Sequence, residues 1–504
     1  MRATRADKQR TKVALLVPDG VGARNFLIGS FPAAARNRLS VSVVSQIPES
    51  ARGLYEEQLG QPIDWQALNP YRDTLTLYML RNLVSYAHMY SIDTFGMRCK
   101  RELPIMGPTG PRIKAELARM LGQAVARLAG GQGVARLDRY FASRVAQLPE
   151  TQRYRQIFAR TRPDVLLSSN QRASAVAPPV LAAQSLGIPT ATCIFSWDNL
   201  TSKGRIAASF DHYLVWSDLM RKELLQFYPE IRAEQVHLVG PLQFDPHADA
   251  GLVRSRAEFF RGIGADPSRP MLCFSAGDDT SCPEDPDHLE LLLNLVRRGQ
   301  IVGNPQVVLR PNPARMGTRF DGVRQRHPEL IYSQPEWVPA AGGDWTQTLP
   351  LPSDPALLVN LAHHCDVNIS VASTMTLDFS LHSRPVVNIA FDVANPPPFK
   401  YPLWDFYYRK EHYLPIVKQG AALFARSADE LARHVNTYLA DPGLHEENRR
   451  RILDLQIGAP VGTAGQRTVD LLIDLAKRGV SAANRVNHRQ RAEFEPRVDA
   501  LKSA

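Results

Sequence analysis

The sequence predicts an α/β protein in which two doubly wound, Rossmann-like parallel-sheet domains face a common cleft. Short apolar runs alternate with helical patterns over most of the chain, which is typical of a parallel sheet covered by helices on both faces. The chain has 504 residues, too many for one ordinary core. A proline-rich stretch at 240–270 interrupts the alternation, which then restarts. We therefore expect domains at 12–245 and 246–440, followed by C-terminal helices and a basic tail at 441–504.

The first domain opens with an apolar strand at 13–17, which a glycine-containing loop separates from a helical pattern that begins near Arg24. A helical insertion occupies about 50–150, and its long helical region at 75–147 is broken near 103–111 and at Gly130-Gly131. Further strands are predicted at 39–45, 164–168, 190–195, 213–216 and 236–239, and helices at 175–186 and 218–227.

The second domain repeats this alternation. Its strands are predicted at 271–275, 306–309, 330–333, 367–371 and 385–390, and helices at 287–298, 354–364, 374–382, 428–439 and 463–477. In doubly wound sheets, ligands bind beyond the carboxyl ends of the strands. Because the polar loops of both halves follow strands, we expect them to face the same cleft.

The formal net charge of +10 is concentrated at the two ends of the chain. Residues 1–12 carry five basic side chains against one acidic, and residues 477–504 carry seven against three. The body is therefore nearly neutral, and no nucleic-acid partner is expected. The basic ends are either solvated tails or contacts with an anionic membrane surface, where each Lys or Arg contributes roughly 1 kcal/mol.

Cysteine usage and the absence of long apolar stretches bear on the compartment. The five cysteines are widely spaced and include no Cys-x-x-Cys pair, which argues against a disulfide framework or a structural zinc site. No segment offers the roughly 18 apolar residues of a spanning helix, and the start has no apolar signal segment. We expect a cytoplasmic protein, with peripheral attachment to the inner face of the plasma membrane as the open alternative.

A hydroxyl-bearing turn follows the predicted strand at 367–371. Ser373 and Thr374 open a helix there, where unpaired N–H groups and the helix dipole attract an anion. Asp378 lies one turn further, on the side that faces back towards the helix start. We interpret the turn as a diphosphate site with Asp378 on ribose hydroxyls. The alternative is an ordinary helix N-cap.

Arg310 ends the predicted strand at 306–309 and is followed by a proline-stiffened loop. A guanidinium at this place can hold phosphate oxygens through two parallel hydrogen bonds, so Arg310 is a candidate donor ligand. A salt bridge across the domain surface is the alternative. Ser275 and Gly277, in the first loop of the second domain, border the same predicted site, although strand-to-helix turns favour such residues anyway.

The loop after the first strand reads PDGVG at 18–22. It lacks the third glycine of a dinucleotide fingerprint, so hydride transfer is poorly supported. Asp19 is a candidate general base and Gly20 is expected to line the cleft. The alternative for Asp19 is a turn residue without catalytic function.

A second polar loop, at 196–204, follows the predicted strand at 190–195. Trp197 offers an apolar surface for a sugar or for packing, and Asp198 and Asn199 offer polar contacts. Lys203 carries a charge that would neutralise a phosphate. Asp198 is the second candidate base.

Three histidines, His363, His364 and His382, lie on predicted helices without a His-Glu-x-x-His pattern. We interpret them as surface or capping residues. No metal site is assigned.

The strand order, the RPNP run at 310–313 and the block at 373–378 resemble the C-terminal domain of glycosyltransferases of the GT-B architecture. The pattern looks closest to bacterial surface-polysaccharide transferases and is similar to the teichoic-acid glycerophosphotransferases and the non-hydrolysing sugar-nucleotide 2-epimerases. It covers about 160–440. Asn312 stands where the glycerophosphotransferases carry a histidine, and Ser373-Thr374 replaces the glycine pair of the epimerase turn. Both departures favour sugar transfer.

The resemblance implies a nucleotide-sugar donor held by the second domain and a glycan or lipid-linked glycan acceptor held by the first. We therefore predict a metal-independent glycosyltransferase without a cofactor, in which Arg310 and the helix dipole stabilise the departing diphosphate. The alternatives are a sugar-nucleotide 2-epimerase, a glycerophosphotransferase and a non-enzymatic subunit that binds a nucleotide-sugar.

Overall fold

A computed structural model describes residues 10–72, 74–102, 109–279, 281–313, 317–339, 347–393 and 402–479. Most of the basic residues at the two chain ends, and hence the predicted membrane contact, lie outside the described residues, as does most of the predicted break at 103–111. In the described part of the chain, no helix is both long and apolar enough to cross a bilayer.

The first sheet has seven parallel strands. They are β1 (Thr11–Val17), β2 (Leu39–Ser45), β3 (Asp64–Ala67), β4 (Val165–Ser168), β5 (Thr190–Cys193), β6 (His212–Val215) and β7 (Val236–Leu238). Their order is β3-β2-β1-β4-β5-β6-β7, so the direction of winding reverses between β1 and β4. Ligands of doubly wound sheets bind outside such a switch point. The edge strand β3 was not predicted, because only Trp65 of its four residues is buried.

The helices of this half are α1 (Gly20–Leu27), α2 (Ser30–Ala35), α3 (Arg52–Leu59), α4 (Leu75–Ser91), α5 (Phe95–Glu102), α6 (Thr109–Val145), α7 (Pro149–Thr161), α8 (Ala177–Ser185), α9 (Asn199–Ser202) and α10 (Asp218–Phe227). α1 begins at Gly20, four residues before the predicted start, because Asp19 caps it by accepting a hydrogen bond from the Gly22 N–H. The predicted break at Gly130 is confirmed as a kink in α6, where this residue has a φ of 54°.

The second sheet has six parallel strands. They are β8 (Met271–Ser275), β9 (Gln306–Arg310), β10 (Ile331–Tyr332), β13 (Val367–Ser370), β14 (Val386–Ile389) and β15 (Leu423–Ala425), and an antiparallel hairpin, β11 (Trp337–Val338) and β12 (Leu349–Pro350), lies apart from them. The strand order is β10-β9-β8-β13-β14-β15, which is the order of the first six strands of the other sheet. The structure therefore confirms the predicted fold class of two doubly wound parallel-sheet domains.

The helices of the second half are α11 (Arg256–Gly262), α12 (Asp285–Arg297), α13 (Asp321–Arg326), α14 (Asp354–His364), α15 (Met375–Ser380), α16 (Leu403–Tyr407), α17 (Leu414–Gln419), α18 (Ala428–Ala440), α19 (Glu446–Gln456) and α20 (Ala464–Arg478). α15 has six residues, whereas the sequence predicts a helix over 374–382.

The last helix, α20, returns to the first domain. Its Val469 and Leu472 belong to the same buried cluster as Leu15 of β1. Asp245, in the connection between the domains, fixes the start of α20, because its carboxylate accepts hydrogen bonds from the N–H groups of Gly462, Ala464 and Gly465 at 2.8 to 3.2 Å. The chain thus crosses between the domains twice, once at the connection and once before α20.

Candidate active site

Loops from the carboxyl ends of both sheets meet between the domains. A Cβ on Gly20, which follows β1, would lie 2.2 Å from the Thr348 carbonyl oxygen and 2.9 Å from the Trp337 ring, so only glycine allows the hairpin to approach this closely. Trp197, which follows β5, packs edge-on against His412 and Tyr413 of the second domain, with ring centroids 5.4 and 5.7 Å apart. The Trp197 side chain is only 5% exposed, so the interface and not a sugar occupies its ring.

Asp19 is buried at the switch point of the first sheet. One carboxylate oxygen accepts a hydrogen bond from the Gly22 N–H at 2.8 Å, and the other accepts one from Asn170 Nδ2 at 2.7 Å. Burial raises the pKa of Asp19, although these donors and Arg172 oppose the change. Asp19 also caps α1, which agrees with its interpretation as a turn residue. A carboxylate with a raised pKa is also a better proton acceptor near neutral pH, so the catalytic role stays a prediction.

Arg310 is buried beside the cleft and paired with Asp354. Its Nη2 lies 2.7 Å from Asp354 Oδ1, and Asp354 also accepts hydrogen bonds from Trp337 Nε1 and the Glu336 N–H, both at 2.9 Å. Burial opposes ionisation, yet Arg310 and these donors hold the pKa of Asp354 below its ordinary value. The salt-bridge alternative is therefore present, but the pair is buried and braces the hairpin instead of lying on the surface.

The second terminal nitrogen of Arg310, Nη1, is buried and has no hydrogen-bond partner among the residues that the structure describes. An unpaired buried donor costs about 1–3 kcal/mol, and more when it is charged. A phosphate oxygen at this position would satisfy it.

Arg24 of α1 faces the same region from the first domain. Its guanidinium lies within electrostatic range of Arg310, Asp354 and Asp378, and burial lowers the pKa of Arg24 despite the two carboxylates. Its Nη2 donates to Gln243 Oε1 at 3.2 Å. Arg24 was not among the candidate site residues predicted from the sequence. The available signal was a cation one turn into the helix that follows the candidate loop.

The hydroxyl turn borders the cleft on the second domain. Ser373 Oγ accepts a hydrogen bond from the Met375 N–H at 3.2 Å, Thr374 makes no side-chain cap, and both residues are half-buried. Because α15 has under two turns, its dipole is weaker than that of the predicted helix. Asp378 is buried and its Oδ1 lies 2.9 Å from His247 Nε2. The roles of these residues as donor contacts stay predictions.

Two of the predicted donor residues hold their own loop together. The buried Ser275 hydroxyl donates to Asn368 Oδ1 inside the sheet, so it offers no free hydroxyl to a ligand. The Gly277 N–H donates to Asp285 Oδ2 at 2.7 Å, and a Cβ on Gly277 would lie 2.6 Å from Cys282 Sγ. The pattern of small residues in the loop after β8 therefore reflects close packing, and a donor-binding role for Ser275 and Gly277 stays a prediction.

Asp198 lies in a polar network after β5. It accepts hydrogen bonds from Ser196 Oγ at 2.7 Å and Asn199 Nδ2 at 2.9 Å, and Lys203 Nζ is 3.2 Å away. Burial opposes ionisation, but Lys203 and His412 hold the pKa of Asp198 well below its ordinary value. A carboxylate this acidic is a weak base, so the geometry favours Asp19 over Asp198.

Three histidines form a hydrogen-bonded chain that ends on Asp378. The nitrogen–nitrogen distances are 3.2 Å from His363 to His382 and 2.9 Å from His382 to His247. Burial lowers the pKa of His382 to about 3, so its ring is neutral near pH 7 and has one nitrogen that donates and one that accepts. The interpretation as surface or capping residues is wrong for His364, which is buried and lies 2.8 Å through its Nε2 from the Arg254 carbonyl oxygen, whereas His363 and His382 are half-buried. Among the described residues, no group of three potential metal ligands converges.

The insertion of the first domain reaches the second domain through α5. The Glu411 carboxylate accepts hydrogen bonds from the first N–H groups of this helix, those of Phe95 and Gly96. Glu223 of α10 lies nearby, and burial together with Glu411 raises the pKa of Glu223 to about 8. The sequence left the role of the insertion open. This contact between segments that are distant in sequence places α5 of the insertion against the second domain.

Replacing Glu223 with glutamine is expected to stabilise the protein above neutral pH. The folded state keeps the Glu223 proton up to about pH 8, whereas the unfolded chain loses it near 4.5, so this group lowers stability increasingly as pH rises between these values. The gain in unfolding free energy should be on the order of 2 kcal/mol at pH 7.5 and should shrink towards pH 4.5. Thermal unfolding at several pH values measures it.

The exposed Glu57, changed to glutamine, is the matched control and should alter stability by less than about 0.5 kcal/mol at any of these pH values. A gain for Glu223→Gln that does not depend on pH would contradict the raised pKa of Glu223.

Comparison with known proteins supports the architecture. No protein-family model and no curated protein matches the sequence. Among solved structures, the chain is similar to a protein assigned as a UDP-N-acetylglucosamine 2-epimerase from Listeria monocytogenes, with a TM-score of 0.51 at 10% identity, over 93% of this chain and 96% of the other. A second UDP-N-acetylglucosamine 2-epimerase matches with a TM-score of 0.51 at 12% identity, over 93% and 97%. At these identities the likeness shows the fold, which is the two-domain GT-B architecture.

Proposed function

We propose that this protein is a glycosyltransferase that moves a sugar from a nucleotide-activated donor to a surface-polysaccharide or glycolipid acceptor without a metal ion. The observation that supports it most is the buried Nη1 of Arg310, which has no partner in the described part of the chain and lies in the cleft of a GT-B fold. A fixed guanidinium with one unsatisfied donor suits the diphosphate that departs when the sugar is transferred.

In this mechanism the two domains have separate tasks. Arg310 and Arg24 stabilise the negative charge that develops on the leaving diphosphate, and Ser373 and Thr374 donate hydrogen bonds to it. Asp19, from the first domain, accepts the proton of the acceptor hydroxyl. Because the domains meet at Gly20, base and phosphate contacts act in the same cleft.

The second candidate is a sugar-nucleotide 2-epimerase, which the two similar structures favour because both are of such enzymes. The two reactions differ in one requirement: epimerisation converts the donor sugar without an acceptor, whereas transfer requires one.

We expect a nucleoside diphosphate to raise the thermal unfolding midpoint. A panel of UDP, GDP, CMP, CDP and dTDP tests this, since a ligand at 100 times its Kd stabilises the folded state by about 2.7 kcal/mol. Incubation with UDP-N-acetylglucosamine alone should leave carbon 2 unchanged. Conversion at carbon 2 would establish the epimerase instead, and the absence of any shift in the panel would overturn both candidates.

A lipid-linked acceptor would place the reaction at a membrane surface. We therefore propose a cytoplasmic protein that associates with the inner face of the plasma membrane through its basic ends.

A further inference from the structure

Four cations from four separate segments lie within electrostatic range of Asp198, beside the contact of Trp197 with the second domain, and the transfer mechanism uses none of them. Lys100 comes from α5 of the insertion, Arg172 from the loop after β4, Lys203 from the residue after α9, and Lys410 from the segment between α16 and α17. Their mutual electrostatic effects connect them: Lys100 is influenced by Arg172 and Lys203, and Lys410 by Lys203. We call this group the cationic cluster.

The cationic cluster holds more positive charge than its surroundings balance. Among the residues that the structure describes, its one close ion pair joins Lys203 to Asp198 at 3.2 Å. Lys410 Nζ instead lies over aromatic rings, 4.0 Å from the centroid of Phe406. Within the described chain, the side chains of Lys100 and Arg172 form no hydrogen bond or ion pair.

Fewer carboxylates than cations surround the cluster. Asp198 lies within electrostatic range of Lys100, Arg172 and Lys410 and pairs with Lys203, and Asp19 acts on Arg172. Among the described residues, two carboxylates thus face four cations, so the cluster keeps an excess of positive charge.

A bound anion would stabilise the charged form of two lysines of the cluster. Burial, with Arg172 and Lys203, lowers the pKa of Lys100 to about 8. Burial, with Lys203, lowers the pKa of Lys410 to about 8. An ammonium group that is partly desolvated and repelled by its neighbours is stabilised by an anion placed among them.

We propose that the cationic cluster is a second anion site, which binds a phosphate or diphosphate group of the acceptor, apart from the donor site at Arg310. Lysine and arginine together bind phosphate oxygens strongly, the arginine through its planar fork and the lysines as point charges. The anion site stands on the cluster alone, whereas its assignment to the acceptor rests on the proposed function. The cluster lies beside Asp198, in a polar loop of the first domain, and this is the domain that the resemblance assigns to the acceptor.

Inorganic pyrophosphate titrated into the full-length protein, followed by calorimetry, tests the site. The Lys100→Gln/Lys410→Gln variant should lose one class of pyrophosphate sites, with affinity reduced at least tenfold, and should keep the thermal shift given by its best nucleoside diphosphate. Its unfolding midpoint should equal or exceed that of the unchanged protein, because repulsion has been removed. The control, Lys222→Gln/Lys418→Gln, removes two exposed lysines and should keep pyrophosphate affinity within twofold.

Unchanged pyrophosphate binding in the Lys100→Gln/Lys410→Gln variant would overturn the anion site. A nucleotide panel without any shift, combined with pyrophosphate binding that the two lysines control, would instead overturn the transferase and keep the site. Binding of geranylgeranyl diphosphate in detergent shows whether the site recognises a lipid-linked diphosphate or the phosphate group alone. Tighter binding than pyrophosphate supports a lipid-linked ligand, and equal binding supports recognition of the phosphate group alone.

Discussion

Replacing Arg310 with methionine is expected to lower the free energy of unfolding by about 3–5 kcal/mol, because it leaves the Asp354 carboxylate buried without its cation. The same variant should bind the best nucleoside diphosphate of the panel at least tenfold more weakly, a loss of about 1.4 kcal/mol or more. The reason is that Nη1, the unpaired donor, is then missing from the cleft. Denaturant unfolding and calorimetry measure the two effects separately.

The double variant Arg310→Met/Asp354→Asn separates structure from ligand binding. It removes both charges, and the amide oxygen can still accept from Trp337 Nε1, so stability should largely return while nucleotide affinity stays low. The control Arg326→Met breaks an exposed ion pair with Glu290 in the same domain and should cost about 1 kcal/mol or less. Recovery of nucleotide affinity in the double variant would mean that Arg310 serves the fold alone.

The sequence predicted the sheets well because parallel strands buried on both faces appear as unbroken apolar runs. The run at 271–275 has all five residues buried, and β8 has the predicted bounds. Shorter or more exposed elements carry no such signal: the hairpin of β11 and β12 has two residues per strand, and its position depends on Asp354 and Gly20. Tertiary contacts, not local pattern, hold it in place.

The candidate site was only partly predictable for a related reason. Asp19 and Arg310 stand at strand ends, where position alone makes them candidates, although their ion pairing and capping could not be read from the sequence. Arg24, His247 and Lys100 matter through partners on distant segments, and nothing local distinguishes them from ordinary solvated or buried side chains. Ser275 shows the opposite error. Its local pattern predicted a contact with the donor, but its hydroxyl donates to Asn368 inside the sheet.

Replacing Asp19 with asparagine is expected to reduce turnover by about 10²- to 10⁴-fold, the usual contribution of a positioned general base. Burial raises the pKa of Asp19, which makes its carboxylate a stronger proton acceptor than Asp198. The amide oxygen can still cap α1 through the Gly22 N–H, so the cap should survive. Steady-state transfer assays with the donor identified by the panel measure the change.

The amide nitrogen of this variant would oppose Asn170 Nδ2, which in the unchanged protein donates to Asp19 at 2.7 Å, so two facing donors are a second explanation for a loss of activity. The exchange Asp19→Asn/Asn170→Asp removes that conflict: the new amide donates to the new carboxylate, which can still accept from the Arg172 N–H. This variant should unfold at a midpoint close to that of the unchanged protein. It should still be deficient in transfer, because its carboxylate stands at position 170 and no longer at position 19. Full activity of either variant would rule out Asp19 as the base, since proton transfer requires the acceptor atom in place.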